Sequence, residues 1–207
     1  NNGVKSGTVV ITDNQFGGKG RNGRNWCTIP NKSLSFSIII EKEISVKLCG
    51  WLPIIVALSI EQELSNFQIQ ISLKWPNDII LNGKKLGGIL CEDDGRRAII
   101  GIGLNFDNTP PLPNSTSLLD KNYNIDKNIF LNDFLRIFKV NFDITKEDII
   151  SSYSRYDCLL GNQITWDTGS GVATSVNDDG SLHVVTSDGN LDLYSEDVHV
   201  EWSVTDA

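Results

Sequence analysis

Methionine is absent from the 207-residue sequence, histidine occurs only twice, and four cysteines lie far apart, at Cys27, Cys49, Cys91 and Cys158. No two cysteines have the close spacing of a zinc site, so the sequence excludes a disulfide scaffold and predicts no protein-bound metal. Reduced cysteines of this kind indicate a cytoplasmic location. Because the chain opens without methionine, directly beside a predicted strand, we expect its N-terminus to be incomplete.

Long hydrophobic runs are also missing. The longest, near residues 54–60, is too short to span a bilayer and is followed by Glu61 and Glu63. No basic segment followed by an apolar one opens the chain, as a secretory signal would. The sequence therefore predicts no association with a membrane.

Basic residues are scarce at the carboxyl end of the chain. The formal net charge is −8, and residues 151–207 hold ten acidic residues but a single basic one, Arg155. No segment is basic enough to neutralise many phosphates, which argues against DNA binding. The change in composition predicts a domain boundary that separates residues 1–157 from residues 158–207.

The hydrophobic pattern indicates an α+β fold. It predicts strands at residues 7–13, 34–40, 69–74, 79–81, 86–92 and 98–105, and helices near residues 45–66, 128–142 and 146–157. Tight turns at Asn82-Gly83 and Asp94-Gly95 join three of the strands, which favours a mixed or antiparallel sheet flanked by helices. After residue 160, five short strand patterns separated by glycine turns predict a small β-barrel or sandwich.

A glycine-rich basic loop, GGKGRNGRNW, occupies residues 17–26. Its glycines allow backbone N–H groups to approach an anion, and Arg21 and Arg24 can each direct paired donors at phosphate oxygens. Trp26 can close one wall of such a site. A solvated surface loop is the alternative, because the sequence matches neither a P-loop nor a dinucleotide-binding fingerprint.

Three further segments place polar residues or glycines in predicted strands: KWPND at residues 74–78, KLGGIL at 85–90 and GIGLN at 101–105. Lys74 and Asp78 bring opposite charges to one turn, and Asn105 ends a strand within reach of a polar ligand atom. Glycines inside a strand are costly unless another group approaches the backbone. Taken singly, each segment has a structural alternative, namely a turn, a β-bulge or a turn-entry asparagine.

In this order, the four segments resemble the biotin protein ligases, whose pattern is G-R-G-R-x-G-R-x-W, K-W-P-N-D, K-L-x-G-I-L and G-x-G-x-N. The resemblance runs from about residue 7 to residue 105. It implies a catalytic domain over residues 1–157 like that of class II synthetases, and an SH3-like barrel over residues 158–207. Lys19 and Asn22 stand where the family has arginines, and the family's upstream Ser-Thr-Asn segment is absent from the sequence.

The resemblance implies an activity. Biotin and ATP would form biotinyl-5′-AMP, with Mg²⁺ accompanying ATP, and the acyl group would pass to a lysine of a biotin carboxyl carrier domain of a carboxylase. A lipoate or octanoate ligase of the same fold and a non-catalytic biotin-binding regulator are the alternatives. The resemblance leaves homodimer formation open and predicts no DNA partner.

The resemblance also implies residue roles. The expected catalytic residues are Arg21, Lys85, Asp78 and Lys74; the biotin-binding residues are Gln15, Gly18, Lys19, Trp26, Lys85, Gly87 and Gly88; and the ATP-binding residues are Arg21, Arg24, Trp26, Asn77 and Asn105. Cations are needed because attack of a carboxylate on the α-phosphate concentrates negative charge. Asp78 would orient or deprotonate the incoming lysine amine.

Overall fold

The computed structural model describes residues 4–41, 50–93, 96–107 and 112–200. The Asp94-Gly95 turn and the first residues of the helix predicted from residue 45 lie outside these ranges. Helix α1 covers Leu52–Asn66, with Pro53 in its first turn. A proline is tolerated there because the first turn of a helix has no intrahelical partner for its N–H groups.

Six of the described strands form an antiparallel sheet in the order β1-β4-β8-β7-β6-β5. Their bounds are β1 Val9–Thr12, β4 Ser33–Glu41, β5 Ser72–Lys74, β6 Asp78–Leu81, β7 Lys84–Asp93 and β8 Arg97–Asn105. The turn between β6 and β7 is the predicted Asn82-Gly83, whose φ angles of 50° and 74° suit a two-residue hairpin. Two short strands, β2 (Gly18–Lys19) and β3 (Asn25–Trp26), pair with each other inside the glycine-rich loop.

Helices cover one face of this sheet. In addition to α1, the described residues form α2 (Lys127–Asn141) and α3 (Lys146–Ser154), which begin at the N-caps Asp126 and Thr145. Phenylalanines on α2 recur every four residues and so form one stripe. Phe134 of that stripe contacts Phe36 of β4, with ring centroids 5.5 Å apart. The even-numbered side chains of β4 therefore face the helices, and the odd-numbered ones face away from them.

The remaining described strands form a second antiparallel sheet, in the order β12-β11-β10-β9-β13. Their bounds are β9 Gln163–Trp166, β10 Gly169–Val176, β11 Leu182–Thr186, β12 Gly189–Leu193 and β13 His199–Val200. The turn between β10 and β11 docks beside the first sheet. There Trp51 Nε1, at the start of α1, donates to Asp178 O at 2.6 Å, and Trp75 Nε1, between β5 and β6, donates to Gly180 O at 2.9 Å. The domain boundary after residue 157 stays a prediction.

A membrane-spanning helix is not found among the described residues, because none of their helices has the necessary length and hydrophobicity.

Candidate active site

A cavity of about 490 Å³ opens on the face of the first sheet that points away from the helices. It collects parts of all four sequence segments. The predicted site residues that line it are Gln15, Lys19, Arg21, Arg24, Trp26, Asn77, Asp78, Lys85, Gly88 and Asn105. Gly18, Lys74 and Gly87 are not among the described residues that line it. The fold thus gathers most of the predicted site in one place, while the role of each residue stays a prediction.

The floor of the cavity follows from strand register. Thr12 pairs with Ser35, Ser35 with Gly103, Gly103 with Gly88, and Gly88 with Asp78. Directly paired residues point to the same face of a sheet, so these five residues form one row across five strands. The row has hydroxyl groups at one end, glycines in the middle and a carboxylate at the other end.

Trp26 explains the two glycines of this row. A Cβ atom at Gly103 would lie 2.4 Å from the indole ring, and one at Gly88 would lie 3.5 Å from it. The ring therefore lies directly over the sheet where side chains are missing. Gly87 differs, because a Cβ atom there would meet Leu104 at 2.3 Å on the other side of the strand. The predicted Gly87-Gly88 pair therefore makes room on both faces of β7.

The carboxylate end of the row carries the charged groups. Lys85 Nζ lies 2.6 Å from Asp78 Oδ1 and 5.9 Å from the centroid of the Trp26 ring. Arg21 Nη1 donates to Asn77 Oδ1 at 3.1 Å, and Asn77 Nδ2 donates to Ile89 O at 2.7 Å. Asn77 is thereby fixed by β7 and in turn orients the guanidinium group.

Arg21 is half-buried and lies near two carboxylates, and these two features shift its pKa in opposite directions. Burial lowers the pKa of Arg21, whereas the nearby carboxylates of Asp197 and Asp78 act in the opposite direction. An arginine retains its charge under any such shift at neutral pH. The site therefore holds a permanent, partly desolvated cation beside a lysine, which is an arrangement suited to an anion.

Sequence reasoning missed Asp197, which joins the second sheet to the glycine-rich loop. Asp197 forms an ion pair with Arg24 and accepts a hydrogen bond from Asn22 Nδ2 at 3.3 Å, while Arg21 Nη2 donates to Ser195 O. Asp197 also lines the cavity. The acidity of the carboxyl end was visible in the sequence, but no pattern singled out this carboxylate.

Lys74 lies beside the site rather than in it. It pairs with Asp78 across β5 and β6, yet it borders the segment that connects the two sheets. That segment follows the edge of β5, where Leu73 N donates to Tyr156 O and Cys158 N donates to Leu73 O, both at 2.8 Å. Burial raises the pKa of Cys158 to about 11, and the Lys74 ammonium acts in the opposite direction.

Buried polar atoms at the cavity lack partners. Ser35 Oγ, Asn105 Oδ1 and Trp26 Nε1 have no hydrogen-bond partner within the described residues. Most buried polar atoms in folded proteins have one, so these atoms indicate a surface that a ligand completes. Sequence reasoning missed Ser35, although alternation of serine with Leu34 and Phe36 marked the polar face of β4.

The described residues contain no cluster of three or more His, Cys, Asp or Glu side chains that could hold a metal ion. Two carboxylates of the cavity, Asp78 and Asp197, are each paired with a cation, Lys85 and Arg24. Mg²⁺ prefers carboxylate, phosphate and water oxygens. These two carboxylates therefore suit Mg²⁺ only together with a ligand that supplies further oxygen atoms to the ion.

Residues 1–107 match the sequence profile of the Biotin/lipoate A/B protein ligase family. The chain belongs to this family. All four sequence segments fall within the matched part, and the resemblance to biotin protein ligases is confirmed.

Individual members of the family share both sequence and fold with the chain. The bifunctional ligase/repressor BirA of Bacillus subtilis is 37% identical over 116 residues, which are 53% of this chain and 36% of that protein. The biotin--[acetyl-CoA-carboxylase] ligase of Mycobacterium tuberculosis is 33% identical over 121 residues, which are 55% of this chain and 46% of that protein. These matches span between about a third and a half of the curated relatives' length.

A solved structure extends the likeness over nearly the whole chain. The biotin protein ligase of Aquifex aeolicus in complex with biotin and ATP superposes with a TM-score of 0.82 at 26% identity, over 96% of this chain and 91% of that one. The likeness confirms the predicted α+β fold class. It includes the carboxyl-terminal strands, which the family profile does not reach.

Proposed function

We propose that this protein joins biotin to a lysine of a biotin carboxyl carrier domain in an ATP-dependent reaction that passes through biotinyl-5′-AMP. The observation that carries the proposal is the cavity itself, where Arg21 and Lys85 meet a glycine floor covered by Trp26. Cations suit the phosphates and the carboxylate, and the open glycine floor leaves room for the rest of the acid. The names of the relatives, which include a biotin--[acetyl-CoA-carboxylase] ligase, support the same assignment.

In the first step, a carboxylate oxygen of biotin bonds to the α-phosphorus of ATP, and the bond from that phosphorus to pyrophosphate breaks with its electrons leaving on pyrophosphate. Negative charge accumulates on the phosphoryl oxygens. Arg21, oriented by Asn77, and Lys85 stabilise that charge from fixed positions. Mg²⁺ would enter with ATP and neutralise the phosphates, with oxygen atoms of Asp78 or Asp197 as candidate ligands.

In the second step, the lysine amine of the carrier bonds to the acyl carbon, and the bond from that carbon to AMP breaks. The amine must lose a proton, and Asp78 is the carboxylate at the charged end of the cavity. Asp78 accepts the proton, while Lys85 remains close to the developing charge. Lys74 contributes positive charge across β5 and β6 without touching the substrates.

Three finer points belong to this proposal. The formal net charge of −8 disfavours binding to DNA, which supports a protein partner in preference to a nucleic acid. The carrier domain is that of a biotin-dependent carboxylase. A cytoplasmic location stays a prediction, and homodimer formation stays open.

The decisive experiment is an intact-mass measurement of a purified carrier domain after incubation with this protein, biotin and Mg-ATP. We expect the mass to rise by one biotinyl group, and a carrier whose acceptor lysine is replaced by arginine should stay unchanged. Parallel reactions contain lipoate or octanoate in place of biotin. A mass increase with either of those acids and none with biotin would show that the protein is a lipoate or octanoate ligase. Biotin binding without transfer would show that it is a non-catalytic biotin-binding regulator.

A further inference from the structure

The turn between β10 and β11 contacts the first sheet at the loop that leads into the charged end of the cavity. Gly180 O, in this turn, accepts a hydrogen bond from Trp75 Nε1 at 2.9 Å. Trp75 is 2% exposed and is not among the described residues that line the cavity. Any effect of this contact on the substrates must therefore pass through the residues that follow Trp75.

Trp75 begins the loop that joins β5 to β6. The loop covers only residues 75–77, and the residues on either side of it, Lys74 and Asp78, pair with each other. Because few soft dihedral angles separate Trp75 from Asp78, a displacement at the start of the loop moves its end. Asp78 Oδ1 lies 2.6 Å from Lys85 Nζ, so the loop leads directly to the groups to which the proposed function assigns the chemistry.

The loop is anchored at both ends, and the two anchors belong to different sheets. At its last residue, Asn77 O accepts from Ile89 N at 2.9 Å, and Asn77 Nδ2 donates to Ile89 O at 2.7 Å. At its first residue, the anchor is the bond from Trp75 to Gly180 of the second sheet. Asn77 Oδ1 accepts from Arg21 Nη1, so the position of the loop also sets the position of that guanidinium group.

The turn that carries Gly180 is itself wedged in place. A Cβ atom at Gly180 would lie 2.4 Å from Gly50 O, and one at Gly50 would lie 2.1 Å from Asp179 O, so the two backbones are in direct contact. Closely packed backbone transmits a displacement instead of absorbing it. Since β5 has three residues and lies at the end of the sheet order, a fixed carbonyl group beside it is suited to hold the loop that follows.

We propose that Trp75 is a positioning residue for biotin transfer, through which Gly180 of the second sheet holds Asn77 and Asp78 in the geometry that the reaction needs. The inference rests on the proposed function and adds a residue to it that acts through others. Because Trp75 lies outside the cavity lining, it contributes to kcat rather than to the affinity for biotin. Small displacements of reacting groups are enough to lower a rate strongly.

Trp51 provides a matched control. Its Nε1 donates to Asp178 O of the same turn at 2.6 Å, and it is 1% exposed. Trp51 is the N-cap residue of α1, a helix that contributes no residue to the described lining of the cavity. Trp51→Phe and Trp75→Phe therefore each remove one indole N–H that is bonded to this turn, and only Trp75→Phe loosens the loop before Asp78.

The test measures steady-state biotin transfer to a carrier domain by wild type, Trp75→Phe and Trp51→Phe, at a temperature at which urea unfolding shows each protein to be fully folded. We expect Trp75→Phe to lower kcat about tenfold and to keep the KM for biotin within about twofold of wild type. Trp51→Phe should lose stability as well, but it should keep kcat within about twofold.

Gly180→Ala is a second way to disturb the same contact, and it leaves Trp75 in place. Its methyl group would collide with Gly50 O, so the turn and its carbonyl group must shift, and kcat should fall. Adding Trp75→Phe to Gly180→Ala should lower kcat by less than about twofold further, because both changes break one contact. This variant decides the question if Trp75→Phe does not fold.

The outcomes separate this inference from the function on which it rests. Biotin transfer by the wild type with an unchanged kcat in Trp75→Phe, or an equal loss of kcat in Trp51→Phe, would overturn the inference and leave the function standing. A higher KM for biotin at unchanged kcat would place Trp75 at the ligand, and fully additive losses in the double variant would disconnect it from the second sheet; either result would overturn the inference as well. Absence of transfer by the wild type would overturn the proposed function and the inference with it.

Discussion

The two sheets differ in whether their polar side chains have hydrogen-bond partners. In the second sheet, His183 Nδ1 lies 2.6 Å from Asp192 Oδ1, and Asn177 Nδ2 lies 2.9 Å from both Asp192 Oδ1 and Ser181 Oγ. On the cavity face of the first sheet, Ser35 Oγ and Asn105 Oδ1 have no partner within the described residues. Paired polar groups stabilise a fold, whereas unpaired ones reduce its stability. The contrast supports the proposal that the ligands bind on the first sheet and that the second sheet has a supporting role.

Their glycines differ in the same way. A Cβ atom at Gly171 of β10 would lie 2.6 Å from Val185 O, which belongs to the neighbouring strand of its own sheet. A Cβ atom at Gly103 would meet Trp26, which belongs to a loop that crosses the sheet. Gly171 allows close packing between strands, and Gly103 leaves a surface open to a group from outside the sheet.

The largest effect expected is on catalysis, from Lys85→Ala. This change removes the cation 2.6 Å from Asp78 and should lower kcat/KM for biotin transfer about 10³-fold, or roughly 4 kcal/mol. The free energy of unfolding should change by less than about 1 kcal/mol, because the ion pair is partly exposed. Transfer rates read by intact mass and urea unfolding measure the two quantities.

Lys84→Ala is the control for this experiment. Lys84 is the exposed neighbour of Lys85 on β7 and is not among the described residues that line the cavity. It should retain wild-type kcat/KM within about twofold. If both variants lost activity equally, the effect would come from net charge or from the strand, and the functional assignment of the first sheet would fail.

A buried carboxylic acid between the two sheets should make stability depend on pH. Burial raises the pKa of Asp157 to about 7, although Leu159 N donates to its Oδ1 at 2.8 Å. The unfolded chain ionises near pH 4, so the folded state binds more protons between about pH 4 and pH 7. The stability that the protonated acid contributes is complete below pH 4 and is lost as the pH rises through 7.

Asp157→Asn mimics the protonated acid at every pH. At pH 8 it should stabilise the protein by about 2–4 kcal/mol relative to wild type, whereas at pH 4 the two should be nearly equal. Urea unfolding at both pH values measures the difference. Parallel stability curves for the two proteins from pH 4 to pH 8 would show that Asp157 titrates normally.

Alanine substitution of Gly171 and of Gly103 should distinguish the roles of the two sheets. Gly171→Ala forces a backbone carbonyl to move, so we expect a loss of about 2–3 kcal/mol in unfolding free energy and unchanged biotin affinity. Gly103→Ala displaces the Trp26 ring, which should cost about 1 kcal/mol in stability. Its methyl group should weaken biotin binding about tenfold, because it enters the cavity floor.

Calorimetry and urea unfolding on both variants complete this comparison. Loss of biotin affinity in Gly171→Ala, or wild-type affinity in Gly103→Ala, would contradict the proposal that the first sheet binds the ligand and the second sheet supports the fold. Trp fluorescence should report the movement of Trp26 in Gly103→Ala.

Much of the fold follows from short-range patterns. The Asn82-Gly83 turn predicted a hairpin because both residues tolerate positive φ, and the structure has that hairpin between β6 and β7. The antiparallel order then brings the KWPND, KLGGIL and GIGLN segments onto neighbouring strands. A shared site follows from that order.

Other features depend on contacts between residues far apart in the chain. The β-bulge that the sequence offered as the alternative for Gly87-Gly88 is present as a register shift between Ile79 and Ile80, but only the pairing of β6 with β7 fixes its place. Asp197 lies 173 residues after its partner Arg24, so only the docking of the second sheet reveals the pair.

The smallest effect expected is from Asp197→Asn, which removes the ion pair between the second sheet and the glycine-rich loop. Arg24 has 65% of its side chain exposed, and exposed ion pairs contribute about 0–1 kcal/mol, so unfolding free energy should fall by less than about 1 kcal/mol. The loss should shrink further in 1 M salt, because salt screens exposed charges. Asp188→Asn removes the same charge from the turn between β11 and β12 and controls for net charge. A double-mutant cycle with Arg24→Ala isolates the pair, and a coupling energy well above 1 kcal/mol would show that the second sheet anchors the glycine-rich loop rather than merely touching it.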